Sequence, residues 1–238
     1  MLIIKLFKNE KIKGISRFKT RRNTENEVQR YNITVGNTVH TVINLPIDFS
    51  ENFELQRLLK RFKGNVLLCE SEFETECFND FLFDCKPYYK RAIISSLKNY
   101  TSGLENKRFS LTLRDDYFEM TEEAVELAKV VGSLIIEGNE NLALQEFSDY
   151  CLYNFGAVVR VVPNGTITRS DMYADFNEIT EDAKLFVSLR GKELLLYPDP
   201  KYFSCENGVS ELVTLGVPIK KACAATANQK TLVWCKNP

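Results

Sequence analysis

FSLTLRDDYFEMTEEAVELAKVVGSLIIEGNENLALQEFSDYCLYNFGAVVRVV, residues Phe109–Val162, is the stretch that decides the fold. Phe109–Leu113 (FSLTL) alternates apolar and polar and predicts a strand. Thr121 then opens a helix with Glu122 and Glu123 in its first turn, where carboxylates suit the positive end of the helix dipole. Ala124, Leu127, Ala128 and Val131 recur at helical spacing, and Gly132 closes the element. Leu134–Glu137 (LIIE) is the next strand. Asn141–Phe155 is a helix carrying Leu144, Phe147, Cys151 and Phe155, and Gly156 ends it. Ala157–Val162 (AVVRVV) is a third strand. Two strand–helix units followed by a strand imply a parallel sheet with right-handed crossovers.

Working outward, Met172–Phe176 (MYADF) predicts a further strand. Leu185–Leu189 and Leu194–Tyr197 flank Arg190-Gly191-Lys192 as a hairpin. Helical stretches are expected from Glu206 to about Gly216 and from Pro218 to about Ala227, with Thr231–Cys235 (TLVWC) as a closing strand. Upstream, Tyr31–Val35 and Thr38–Ile43 flank Gly36-Asn37, a pair that tolerates positive φ. A hairpin follows, with Val35 opposite Thr38 and Ile33 opposite His40, and Pro46 ends it. Ser50 caps a helix whose stripe is Phe53, Leu55, Leu58, Leu59 and Phe62. Lys60, Arg61 and Lys63 lie at its negative end, and Gly64 stops it. Asn65–Cys69 reads as a buried strand and Glu70–Cys85 as an irregular excursion. Pro87 begins a second helix with Tyr89, Ile93, Leu97 and Tyr100 inward.

The run from Phe109, with DMYADFNEI after it, resembles a Rossmann-type dinucleotide-binding domain over roughly residues 106–200. It is similar in rhythm to the cofactor half of shikimate dehydrogenase or glutamyl-tRNA reductase. The fold class expected is therefore α/β. A Rossmann-like, mostly parallel sheet with helices on both faces occupies residues 106–238, and a smaller α+β portion with the hairpin occupies residues 1–105. The resemblance implies an acid on ribose hydroxyls at the end of the second strand, and Glu137 stands there. The resemblance also implies a glycine-rich phosphate turn after the first strand. This chain has Arg114-Asp115-Asp116-Tyr117-Phe118-Glu119-Met120 instead, without glycine and with three carboxylates where phosphates would lie. Like charge repels a dinucleotide, so NAD(P) is disfavoured.

The doubly wound fold still places a ligand outside the carboxyl ends of its strands. That rule collects Arg114, Asp115 and Asp116, then Glu137, Gly138 and Asn139, then Asn164, then Asp175 and Asn177. Each also serves as an ordinary loop-starter or helix cap. Asp115, Asp116 and Glu137 offer oxygen ligands, but nothing in their spacing resembles a calcium loop, and no metal is assigned.

Composition narrows the function classes. The chain has 238 residues, 31 Lys+Arg against 32 Asp+Glu, 44% hydrophobic residues and one histidine. This is a globular composition, and no apolar run approaches the ~20 residues that span a bilayer. A single His40 excludes a multi-histidine metal site. Seven cysteines, an odd number without metal or redox spacing, fit buried thiols in a reducing cytoplasm. There is no G-x-S-x-G elbow and no Walker loop. Tyr197-Pro198-Asp199-Pro200-Lys201-Tyr202 reads as a proline-stiffened turn.

Charge is uneven. Residues 1–108 hold 19 basic and 13 acidic side chains, and residues 109–238 hold 12 and 19. The segment Lys5–Arg30 concentrates the basic excess and is the candidate contact for nucleic acid or another anionic surface. The function expected is small-molecule binding or protein interaction by a cofactor-less Rossmann-like protein. The alternatives are an NAD(P)-dependent oxidoreductase with an unconventional phosphate turn, and an anion binder acting through Lys5–Arg30.

Overall fold

The computed structural model describes residues 1–7, 29–47, 53–71, 76–103, 109–116, 118, 122–139, 142–180, 183–204 and 208–234. Most of the Lys5–Arg30 segment, the Ser50 cap and the 104–108 stretch lie outside the described residues. The fold is α/β, with mixed, mostly parallel sheets flanked by helices. Two compact units form, Met1–Cys85 with Cys205–Pro238, and Lys86–Ser204. The division thus falls after Cys85, where the expected boundary lay near residue 105, and the C-terminal segment belongs with the N-terminal unit.

In the first unit, β1 (Leu2–Phe7), β2 (Gln29–Val35), β3 (Thr38–Pro46) and β4 (Val66–Leu68) form a sheet ordered β2-β3-β1-β4. The β2–β3 hairpin has the predicted register, Val35 with Thr38 and Ile33 with His40, and Gly36 takes φ 57° at the turn. Strand β1, whose Lys5–Phe7 end opens the basic segment Lys5–Arg30, is central and parallel to both β3 and β4. Leu2 and Ile4 pair with Thr41 and Ile43 on one side and Val66 and Leu68 on the other. The helix α1 (Phe53–Arg61) lays Leu55 and Leu59 on that layer, and Phe78 completes the core. After Gly208 come α5 (Val209–Thr214) and α6 (Ile219–Trp234). Glu70 N–H donates to the Gly216 carbonyl at 2.7 Å, and the Cys69 thiol to Leu215 at 3.1 Å. These bonds tie the C-terminal segment to the exit of β4, which explains its membership in this unit. Thr231–Trp234 continues α6 and is not the closing strand expected. Burial pushes the Cys69 thiol up to about 11.

In the second unit, α2 (Lys86–Ser102) precedes β5 (Ser110–Arg114), α3 (Glu122–Val130), β6 (Ser133–Glu137), α4 (Leu142–Phe155), β7 (Val159–Val162), β8 (Met172–Asp175), β9 (Leu185–Leu189) and β10 (Lys192–Leu196). The sheet order is β10-β9-β8-β5-β6-β7. Strands β5 to β8 are parallel, and β9 and β10 fold back as an antiparallel hairpin. Arg190 and Gly191 turn that hairpin with φ 48° and 78°. Leu111, Leu113, Leu134, Ile136, Met172 and Val187 are buried. Alternation gives β5 one apolar face and one face of Ser110, Thr112 and Arg114. The chain returns from β7 to β8 without a helix, and this crossover binds the polar face. Thr168 meets Thr112 at 3.2 Å, and Asp171 accepts from Ser110 at 2.9 Å. Those Ser110 donors, the backbone N–H first, hold the Asp171 carboxyl below its usual range. Among the described residues, no helix is long and apolar enough to cross a membrane.

Candidate functional site

Numbered from β5, the six strands of the second unit run 3-2-1-4-5-6 across the sheet, so strand order reverses between β5 and β8. A ligand crevice belongs outside the carboxyl ends of those two strands. Arg114 ends β5 and Asp175 ends β8, and the two are register partners. Arg114 Nη1 donates to Asp175 Oδ2 at 3.1 Å, joining the ends of those two strands. The Asp175 carboxylate, with help from the Tyr173 hydroxyl, raises the Arg114 pKa. Burial, followed by the Glu137 and Asp175 charges, raises that of Tyr173. The buried Nε–H of Arg114 has no acceptor among the described residues.

The other expected residues gather around this pair through hydrogen bonds. Asp175 Oδ1 accepts from Asn177 N–H at 3.0 Å, and Asn177 Oδ1 accepts from Asp116 N–H at 3.3 Å. Asn164 Nδ2 donates to Asp116 Oδ1 at 2.6 Å and to Asn139 Oδ1 at 3.4 Å. Asn139 Nδ2 reaches the Asp116 carbonyl at 3.4 Å. Asp116, Asn139 and Asn164 thus form the solvent-facing part of the cluster.

Two acids face inward. Asp115 is 2% exposed, and Lys90 of α2 donates to it at 2.7 Å. Glu137 is 4% exposed and accepts from Gly165 N–H at 2.6 Å, beneath the turn that leaves β7. Gly138 is a packing requirement: a Cβ there would stand 2.7 Å from the Asp115 carbonyl oxygen.

Sequence reading missed Lys90, which lies 25 residues before its partner, and Gly165, whose backbone is the contributing group. It also missed what stands near the expected phosphate turn. Phe118 is buried, and its ring meets Phe147 edge-on at 5.7 Å. At the start of α3, Glu123 accepts a short hydrogen bond from the Tyr202 hydroxyl. Burial and that carboxylate push the Tyr202 pKa well up. The expected proline-stiffened turn is pinned to α2, where Asp199 accepts from Ser95 at 2.8 Å. Among the described residues, no group of three His, Cys, Asp or Glu side chains is arranged to hold a metal ion.

No family model matches the chain, and no curated protein matches it. Among solved structures it is similar to L-tryptophan dehydrogenase from Nostoc punctiforme, at 12% identity and a TM-score of 0.26. The likeness covers 79% of this chain and 60% of that one, so the chain spans less than two thirds of its neighbour's length. A likeness of that size does not carry the neighbour's activity to this chain.

Proposed function

We propose that Lys86–Ser204 is a Rossmann-like unit that binds no dinucleotide and serves small-molecule binding or protein interaction at its strand-end mouth. The supporting observation is the Arg114–Asp175 pair, which joins the ends of the two strands between which strand order reverses. A dinucleotide would have to break that pair and bring its phosphates toward four carboxylates, Asp115, Asp116, Glu137 and Asp175. Among the described residues, Lys90 and Arg114 are cations bonded within that cluster. The ribose-binding role implied for Glu137 meets a second obstacle, because its carboxylate is buried and already accepts from Gly165.

A neutral or cationic polar ligand suits the same mouth. Asp116, Asn139 and Asn164 offer it an exposed set of donors and acceptors, and the Arg114 Nε–H offers a buried donor. Buried donors are ordinarily hydrogen-bonded, so an acceptor on the ligand has a place to go. Cysteine usage supports a cytoplasmic setting, since Cys69 and Cys151 are buried thiols.

Native mass spectrometry followed by thermal shift tests this reading. A ligand at ~100 Kd stabilises by about 2.7 kcal/mol. We expect NAD(H) and NADP(H) to leave the melting temperature unchanged. We also expect any co-purified small molecule to be lost on Asp116→Ala or Arg114→Gln. Stabilisation by NAD(P)(H) that Glu137→Ala weakens would overturn the reading in favour of the oxidoreductase.

A further inference from the structure

The first unit carries a concavity of a different character. Glu54, Arg57, Leu58 and Arg61 recur at intervals of three and four along α1 and therefore share one flank of the helix. Leu55 and Leu59, on the neighbouring flank, are buried in the core. Arg30 of β2 pairs with Ile43 of β3, and paired residues project to the same side of the sheet. Ile43 belongs to the core beneath α1, so Arg30 also stands on the helix side. Between the hairpin and α1 lies an open cavity of about 820 Å³, lined by Arg30, Ile43, Glu54, Leu55, Arg57, Leu58 and Arg61. That volume is within the range of small-molecule sites.

Among the described residues, three guanidinium groups and one carboxylate thus line a groove with an aliphatic floor. Among the described residues, Arg30, Arg57 and Arg61 form no ion pair. Arg61 does stand 5.9 Å from the centre of the Phe62 ring. Arg57 and Arg61 are like charges one helical turn apart, a mild repulsion that an anion between them would relieve. An excess of two positive charges matches a dianion. The planar guanidinium fork fits the oxygens of phosphate two at a time. Ile43, Leu55 and Leu58 supply apolar contact for the body of such a ligand. Among the described residues the lining contains no aromatic ring, so these residues offer no stacking platform of the kind that holds single-stranded nucleic acid.

We propose that this groove binds a small phosphate ester, a dianionic phosphate or diphosphate head on an apolar body. Arg30, Arg57 and Arg61 hold the head, and Ile43, Leu55 and Leu58 contact the body. This assignment is independent of the strand-end mouth and stands or falls separately from it.

Calorimetric titration of the 238-residue chain tests the proposal, with pyrophosphate, an alkyl diphosphate, a nucleoside diphosphate and a single-stranded oligonucleotide as probes. We expect saturable binding of pyrophosphate, tightened several-fold by the alkyl body. Arg57→Gln and Arg61→Gln should each weaken it roughly tenfold or more, as loss of a charge-assisted contact does. Arg57→Lys should recover only part, because the ammonium lacks the fork. Arg190→Gln, in the second unit and paired there with Asp171, should bind like the wild type. All three altered arginines are exposed, and circular dichroism checks that each variant folds. Failure of every small phosphate to bind at millimolar concentration would overturn the proposal. So would equal weakening by Arg190→Gln. Preference for the oligonucleotide, falling steeply with salt, would overturn it in favour of a nucleic-acid surface.

Discussion

The two units treat their charges in opposite ways. At the strand ends of Lys86–Ser204, Lys90 meets Asp115 and Arg114 meets Asp175 in partly or wholly buried contacts. In the groove beside α1, three arginines face outward without a carboxylate partner among the described residues. Buried carboxylates need compensation within the fold, because desolvation is costly. Exposed guanidinium groups need none, because water solvates them. A charge that the fold has already compensated is less available to a ligand than one it has left to solvent. The first unit's groove arginines are thus the ones left open to the proposed anion, and the cost of charge burial falls in the second unit.

Loss of charge compensation in the second unit is expected to cost the most stability. Lys90→Met takes the ammonium from an Asp115 side chain that is 3% exposed. We expect a loss of about 3 kcal/mol, read as a lower urea midpoint. The first unit is expected to be the more sensitive to mild acid. Burial lowers the His40 pKa from 6.5 to about 4. The unfolded chain then binds the proton that the folded chain refuses. Stability falls as pH drops from about 6.5 toward 4, by up to about 3 kcal/mol in all. In the second unit, Asp171 has a carboxyl pKa held below 3.8. Its contribution is present above the unfolded value and lost only as pH falls through the lower folded one. Hydrogen exchange between pH 7 and 4 should show the first unit opening before the second, and His40→Gln should flatten that slope. Opening in the reverse order would break this part of the comparison.

Smaller effects sharpen it. Gly138→Ala forces a methyl group against the Asp115 carbonyl. The strand ends must spread, at about 1–3 kcal/mol by chemical denaturation. Arg57→Gln is expected to change stability by less than about 0.5 kcal/mol, with relief of its repulsion with Arg61 opposing any loss. A destabilisation as large as that of Lys90→Met would mean that Arg57 is a structural cation, and the contrast between the units would fail.

Elements whose signal is local were legible. The Gly36-Asn37 hairpin and its register follow from positive φ at the turn, and β5 to β7 with α3 and α4 follow from their periodicities. β1 was not legible, because Lys5 interrupts its apolar run; in the sheet that side chain is exposed near the end of a central strand. The end of α6 carries a strand-like signal, because Thr231, Val233 and Trp234 favour strands as single residues, yet these residues continue a helix begun at Ile219.

The candidate residues follow the same division. Alternation along strands and the rule for doubly wound sheets brought nine residues to one end of one sheet, and the hydrogen bonds among them join there. The sequence could not say that adjacent Asp115 and Asp116 part company, one buried on Lys90 and one in the exposed asparagine cluster. Nor could it bring Arg30 to the flank of α1. Periodicity and turn chemistry are properties of neighbouring residues and are written in the chain by itself. Pairing of charges, lining of a groove and the face a side chain meets depend on residues remote in sequence, and they are set when the chain folds.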